Sequence, residues 1–247
     1  MRPAHSHKSR RWLYGVLAIA VTGGLAAAAI VGLDLASAAP ARGAGCADVD
    51  VITARASTER PGEGITGALV TQIVNSSDQS VSRESVDYPA TLQNYQRSSA
   101  QGVTALTKQL TDQVQQCPDQ KIVLAGYSQG AHVVLDVLGG GGGGLLGAAT
   151  PPIDPAIASH VSAVATFGDP RHVVDQAFDV GTSTKNGRFP RSAAQLQTLA
   201  GFADRVQAFC DARDTFCDSG VSTTVHLTYM NRYKDDATDF VLGKIGG

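Results

Sequence analysis

Hydrophobic positions change period along the chain, and the changes mark out alternating strands and helices. Residues 48–53 (Asp-Val-Asp-Val-Ile-Thr) read as a buried strand. After a loop with Pro61, Gly62 and Gly64, the apolar residues Ile65, Leu69, Val70 and Ile73 recur at helical spacing. Residues 81–88 form a second candidate strand, stopped by Pro89, and Val103, Leu106, Leu110 and Val114 lie on one stripe of an amphipathic helix. That helix is expected to end near Cys117-Pro118, because the residue before a proline is pushed out of the α region. Residues 122–125 (Ile-Val-Leu-Ala) are apolar without alternation, as in a strand covered on both faces, and residues 131–138 then turn helical. Further strands are expected at 161–167 and 206–209, and Tyr233, Ala237, Phe240 and Val241 announce a closing helix. Strands alternating with helices predict an α/β fold with a mostly parallel sheet, whose ligands bind at the carboxyl ends of the strands. The glycine run 139–144, followed by Pro151, Pro152 and Pro155, breaks this rhythm and is expected to be a mobile surface loop.

The first forty residues differ in kind. His5, His7, Lys8, Arg10 and Arg11 make a basic start, residues 12–33 are almost wholly apolar, and Ala36-Ser37-Ala38 follows as a small-x-small cleavage pattern. A signal peptide over 1–38 is expected, ahead of one folded domain over 39–247. The apolar run is about as long as a membrane span, so an uncleaved anchor is the alternative. Ser9-Arg10-Arg11-Trp12-Leu13 also resembles a twin-arginine export signal. The protein is thus expected outside the cell, released or held by that anchor.

Composition narrows the partners. The 247 residues are 17% charged with a net charge of −2, and cleavage would remove four basic side chains and one acidic one, leaving −5. No basic patch survives to suggest a nucleic-acid partner or an anionic membrane surface. All four cysteines, Cys46, Cys117, Cys210 and Cys217, follow the signal segment; an even count in an exported chain points to disulfides, with three pairings possible. Cys210 and Cys217 are too far apart for a zinc knuckle, and no metal site is expected.

Candidate chemistry centres on Gly126-Tyr127-Ser128-Gln129-Gly130, a Gly-x-Ser-x-Gly pattern between a buried strand and a helix. A tight strand–turn–helix junction exposes the serine hydroxyl at the top of a sheet, with a helix N-terminus behind it that favours developing negative charge. A serine needs a base to take its proton, usually a histidine oriented by an acid. In elbow enzymes the acid and then the histidine follow the serine along the chain. His132 lies one helical turn beyond the serine and points along the helix, and His160 precedes a strand. His172 is at the correct sheet edge but early; His226, after the last strand, fits best. For the acid, Asp211, Asp214 and Asp218 all lie in or beside the segment between Cys210 and Cys217, where a crosslinked loop would hold a carboxylate rigidly.

Several segments together resemble the cutinase family of small secreted serine esterases, which includes acetylxylan esterases of the same fold. They are Thr53-Ala54-Arg55-Ala56-Ser57-Thr58-Glu59, Tyr88-Pro89-Ala90, the serine pentapeptide, Phe167-Gly168-Asp169-Pro170, Cys210-Asp211-Ala212-Arg213-Asp214-Thr215-Phe216-Cys217, and His226. The resemblance implies an α/β-hydrolase-type three-layer sandwich around a central, mostly parallel sheet of about five strands. It selects Asp214 as the acid and His226 as the base, and implies the disulfides Cys46–Cys117 and Cys210–Cys217. It further implies an oxyanion hole made by the N–H of Gln129 with the N–H and hydroxyl of Ser57. The implied activity is hydrolysis of short- to medium-chain esters (a lipid, a polyester such as cutin, or an acetylated polysaccharide) by a monomer without cofactor. A cell-envelope phospholipase or thioesterase is the alternative if the anchor is kept, and an inactive surface-binding protein on the same fold is the alternative to an enzyme. Two departures stand out: Ala56, where family members commonly carry glycine, and the glycine run 139–144. Phe178, Val180 and Phe189 are candidates to line the cleft.

Overall fold

The structure, a computed structural model, describes residues 45–246; the signal-peptide reading over 1–38 lies outside them. Its elements are β1 (Val49–Ala54), α1 (Gly67–Ser76), β2 (Val81–Ser85), α2 (Tyr95–Gln116), β3 (Lys121–Tyr127), α3 (Gln129–Gly139), α4 (Pro155–Ala158), β4 (Val161–Phe167), β5 (Asp179–Val180), α5 (Ala193–Ala200), β6 (Val206–Phe209), α6 (Thr223–His226) and α7 (Tyr229–Ile245). The strands form one six-stranded sheet in the order β2-β1-β3-β4-β6-β5, with every pair parallel. About five strands were expected; the additional β5 is a two-residue edge segment on β6, too short to carry a periodic signal.

Alternation along the strands divides the core in two. Ile52 and Ala54 of β1, Ile122 and Leu124 of β3, and Val206 and Ala208 of β6 pack with Leu106 and Leu110 of α2, Val133 and Val134 of α3, and Leu199 of α5. Val49 and Val51, Val123 and Ala125, and Phe167 and Phe209 pack on the opposite face with Leu69, Val70 and Ile73 of α1 and Ala237, Val241 and Ile245 of α7. Helices on both faces of a parallel sheet leave its central strands buried, which is why 122–125 reads as an unbroken apolar run. Phe178 belongs to the first cluster and Val180 packs against the second, so both serve the core and neither lines the cleft.

The strand order places the site. From β1 the chain turns outward to β2 and then returns to β3 on the other side of β1. At such a reversal the loops leaving neighbouring strands part and open a crevice at their carboxyl ends. Ser57 follows β1 and Ser128 follows β3 at this edge. The disulfides are Cys46–Cys117 and Cys210–Cys217. The first ties the start of the described chain to the end of α2 across 71 residues, a closure that stabilises by about 4 kcal/mol in the chain-entropy description.

The glycine run is a surface loop only in its second half, around the exposed Gly144 and Leu145. Gly139 ends α3, Gly140 and Gly141 are buried, and Gly141 forms an antiparallel bridge with Thr150. The Gly142 N–H donates to Asp136 Oδ2 (3.2 Å), and its carbonyl accepts from Arg171 (3.0 Å) and Gln195 (3.3 Å). The absence of side chains lets the backbone approach a buried charge cluster closely enough to be held by it.

Candidate active site

Ser128 sits between β3 and α3 with φ 54° and ψ −113°, a conformation that L-residues seldom adopt. A tight junction forces it. A Cβ on Gly130 would run into the Ala54 carbonyl, and one on Gly126 would lie 2.6 Å from the Gly130 carbonyl oxygen, so both flanking glycines are required for the helix to pack this close to the sheet. The Ser128 N–H donates to the Phe167 carbonyl (2.8 Å), fixing the turn against β4.

Three side chains from distant segments converge there. His226 Nε2 lies 3.0 Å from Ser128 Oγ, and His226 Nδ1 lies 2.8 Å from Asp214 Oδ2. Asp214 is fully buried; its Oδ1 accepts the N–H groups of Phe216 (2.6 Å) and Cys217 (3.0 Å), and its Oδ2 accepts the Tyr229 hydroxyl (2.9 Å). Burial pushes this carboxyl up, but the hydrogen bond and charge of His226 together with the Cys217 and Phe216 N–H groups outweigh it, leaving the group below its ordinary range. It therefore stands ready as an anion to orient an imidazole and stabilise its protonated form. The neighbouring aspartates hold loops instead. Asp211 accepts from Thr182, Arg232 and Tyr233, and Asp218 accepts from Ser183, Thr184, Lys185 and Arg213.

His226 is set from several sides. The Tyr127 hydroxyl donates to its backbone carbonyl, and the Phe216 ring lies 4.5 Å from the imidazole. Gly168 has φ +64°, and a Cβ there would come within 2.8 Å of His226 Cε1, so glycine is needed for the imidazole to reach the serine. His172, the other histidine weighed for the base, is buried beside Asp179 (3.6 Å) and its pKa is lowered by that burial; it does not line the cleft.

Across the cleft, the Ser57 hydroxyl donates to Gln129 Oε1 (2.9 Å). The Gln129 amide is held in turn by Ser99 Oγ (3.0 Å) and the Tyr95 carbonyl (3.3 Å) on α2. The Gln129 N–H belongs to the first turn of α3, where backbone donors lack intrahelical partners and attract negative charge. The Ser57 loop is braced by Glu59, whose carboxylate accepts from the N–H groups of Ala56 (2.6 Å) and Ile65 (2.8 Å). Ala56 keeps a negative φ; the left-handed conformation falls on Thr58 (φ 70°), so alanine at position 56 is unstrained. The Gln129 side chain was not foreseen as the holder of Ser57, because its anchors lie on α2, about thirty residues earlier.

These groups open into a cleft of about 580 Å³ walled by Leu92, Tyr95, Phe189, Phe216 and Leu227. Leu92 and Leu227 are 60% and 62% exposed, an apolar rim around the serine. Phe189, expected to line the cleft, does so and stacks on Tyr95 at 5.7 Å.

A parallel sheet that presents a serine on a strained strand–helix turn, facing a histidine–aspartate pair, defines the α/β-hydrolase class of serine hydrolases. The Cutinase family model matches residues 45–245, and the chain belongs to the cutinase family of carboxylic ester hydrolases. It is 32% identical over 209 residues to Cutinase 11 of Verticillium dahliae, covering 81% of this chain and 70% of that one. It is 31% identical over 233 residues to Acetylxylan esterase 2 of Talaromyces purpureogenus, covering 89% and 97%. Among solved structures, an iodinated acetyl xylan esterase superposes with a TM-score of 0.76 at 30% identity, covering 81% of this chain and all of that one.

Proposed function

We propose that this carboxylesterase is exported and acts as a monomer on short- to medium-chain esters, cutin-like polyester or glyceride, through an acyl-enzyme at Ser128. His226 takes the serine proton as Ser128 Oγ attacks the ester carbonyl, and Asp214 holds the imidazole in the required tautomer. The oxyanion is met by the Gln129 N–H and by Ser57. His226 then returns its proton to the leaving alcohol, and a water, activated by the same imidazole, releases the acid. None of these steps calls for a metal or an organic cofactor. The observation that carries the reading is the unbroken relay from Asp214 to His226 (2.8 Å) to Ser128 (3.0 Å), ending in a hydroxyl that faces an apolar cleft. Export rests on the basic-apolar-small pattern of residues 1–38 and agrees with two disulfides.

Reaction with a fluorophosphonate, followed by peptide mapping, tests the nucleophile: the adduct is expected on Ser128, and full esterase activity in Ser128→Ala would overturn the assignment. A second reading, acetate removal from a polysaccharide, is supported by the likeness to acetylxylan esterases over nearly their whole length. Rates on acetyl, butyryl and palmitoyl nitrophenyl esters beside acetylated xylan separate the two, since a sharp acetate preference would favour the polysaccharide.

A further inference from the structure

A second cavity of about 540 Å³ adjoins the cleft. Arg188 and Phe189 line both, so the short segment they belong to is the partition between them. The floor is the glycine run 139–144, and the walls include Leu145, Leu146, Pro152, Ala194 and Thr198. The size suits an organic ligand.

Most of the polar side chains at this cavity are already engaged within the protein. Gln195 donates to the Gly140 and Gly142 carbonyls and accepts from Ser192 N–H and Arg171. Thr150 Oγ1 accepts from Gly141 N–H, the Thr198 hydroxyl donates to the Ala194 carbonyl, and Arg188 donates to the carbonyls of Thr215 and Gly220. No carboxylate lines the cavity among the described residues. A sugar would find few free partners for its hydroxyls, whereas a hydrocarbon needs none. The glycine floor brings no polar side chain, and the surrounding leucine, alanine and proline side chains make the lining largely apolar.

We infer that this glycine-floored cavity is a hydrocarbon subsite that receives the distal part of a long acyl chain passing Phe189 from the cleft. The inference rests on the esterase reading for what enters the cleft. It extends the substrate class from short- and medium-chain esters, which the cleft alone can seat, to long-chain ones. For shorter chains the subsite stays unused.

Two variants on the cavity wall of α5, Ala194→Trp and Thr198→Trp, would fill it from successive turns. Folding of each is checked by its melting temperature and by fluorophosphonate labelling of Ser128. The kinetic readout is the ratio of kcat/KM for nitrophenyl palmitate to that for nitrophenyl butyrate, expected to fall about tenfold or more in a folded variant. A second readout needs no turnover: binding of the fluorescent eighteen-carbon cis-parinaric acid to the full chain and its displacement by palmitate, expected to weaken about tenfold or more in the same variants. Unchanged palmitate-to-butyrate ratios and unchanged probe affinity in folded variants would overturn the subsite. Weakened probe binding in a chain that turns over neither ester would keep the subsite and remove the esterase reading instead.

Discussion

Besides the longer His172–Asp179 contact (3.6 Å), two hydrogen-bonded histidine–aspartate pairs lie among the described residues, and only one faces the cleft serine. His226 lies between Asp214 (2.8 Å) and the Ser128 hydroxyl (3.0 Å); His132 lies between Asp136 (3.0 Å) and the Tyr95 hydroxyl (2.9 Å). The local geometry is nearly the same, but the surroundings differ. Asp136 is buried and also bound by Arg171 (2.5 Å) and Arg191 (3.0 Å), and Arg191 continues to Asp169. Burial pushes the Asp136 carboxyl up, yet His132 and the two arginines outweigh it and hold the group well below its ordinary range. Burial also pushes the Tyr95 hydroxyl far above its ordinary value, so it does not ionise near neutrality. Tyr95 walls the cleft with its hydroxyl held by His132, whereas Ser128 lies in the cleft beside the first turn of α3. In the proposed mechanism, what makes a histidine–aspartate pair chemical machinery is the hydroxyl it faces and the space beyond it. The His132–Asp136 pair, through Arg171 and Arg191, ties α3 to the glycine run and to the Asp169 segment, and serves the fold.

Ser128→Ala is expected to lower kcat by about 10⁶-fold with an unchanged melting temperature, read on nitrophenyl butyrate. Asp214→Asn is expected to lower kcat by about 10⁴-fold, because the wrong imidazole tautomer is then favoured. Asp136→Asn should act on stability instead: the two arginines lose a buried partner, and urea unfolding is expected to show a loss of about 3–5 kcal/mol, with kcat per folded molecule retained. Ser57→Ala is expected to cost up to about 10²-fold in kcat with little change in KM, since the hydroxyl that turns from Gln129 Oε1 to the oxyanion is lost while the Gln129 and Ser57 N–H groups remain.

The smallest effect is a pH dependence of stability. Asp214 and Asp136 have depressed pKa values in the fold, so their contribution is present above the unfolded carboxyl value of about 3.9 and is lost as pH falls through the folded values. Asp50 and Asp179 are pushed up to about 6 by burial and act in the opposite sense: their contribution is full below about pH 4 and is lost as pH rises through 6. Urea midpoints between pH 3 and 7 are expected to show a steep acid limb that is shallower in Asp136→Asn, and a gentle decline from pH 4 to 6 that is shallower in Asp50→Asn.

Much of this was legible in the sequence because the signals are local. The unbroken apolar run ahead of Gly126 marks β3, and the glycines on either side of Ser128 encode the tight turn. The choice of Asp214 over Asp211 and Asp218 was not legible from spacing, since all three sit in or beside one disulfide loop; it came from likeness to a family. The structure shows a physical basis for it, in that Asp214 alone of the three turns toward His226. The anchoring of the first half of the glycine run was illegible for the same reason. Six glycines carry no periodicity, and the charges that anchor them lie on α3 and near Arg171 and Gln195, contacts that only the folded chain brings together. His132 lies one turn beyond Ser128, and nothing in the sequence marks its partner Asp136, four residues on, as the hub of a buried network.

The central claim is that the Asp214–His226 pair, and not the Asp136–His132 pair, activates Ser128. The most direct test is the second-order rate constant for fluorophosphonate inactivation, normalised to folded protein, in the wild type, Asp214→Asn and Asp136→Asn. Inactivation at Ser128 that slows by about 10³-fold or more in Asp214→Asn and stays within about threefold in Asp136→Asn is the expected result. Equal slowing in both variants, or an unchanged rate in Asp214→Asn, would contradict it.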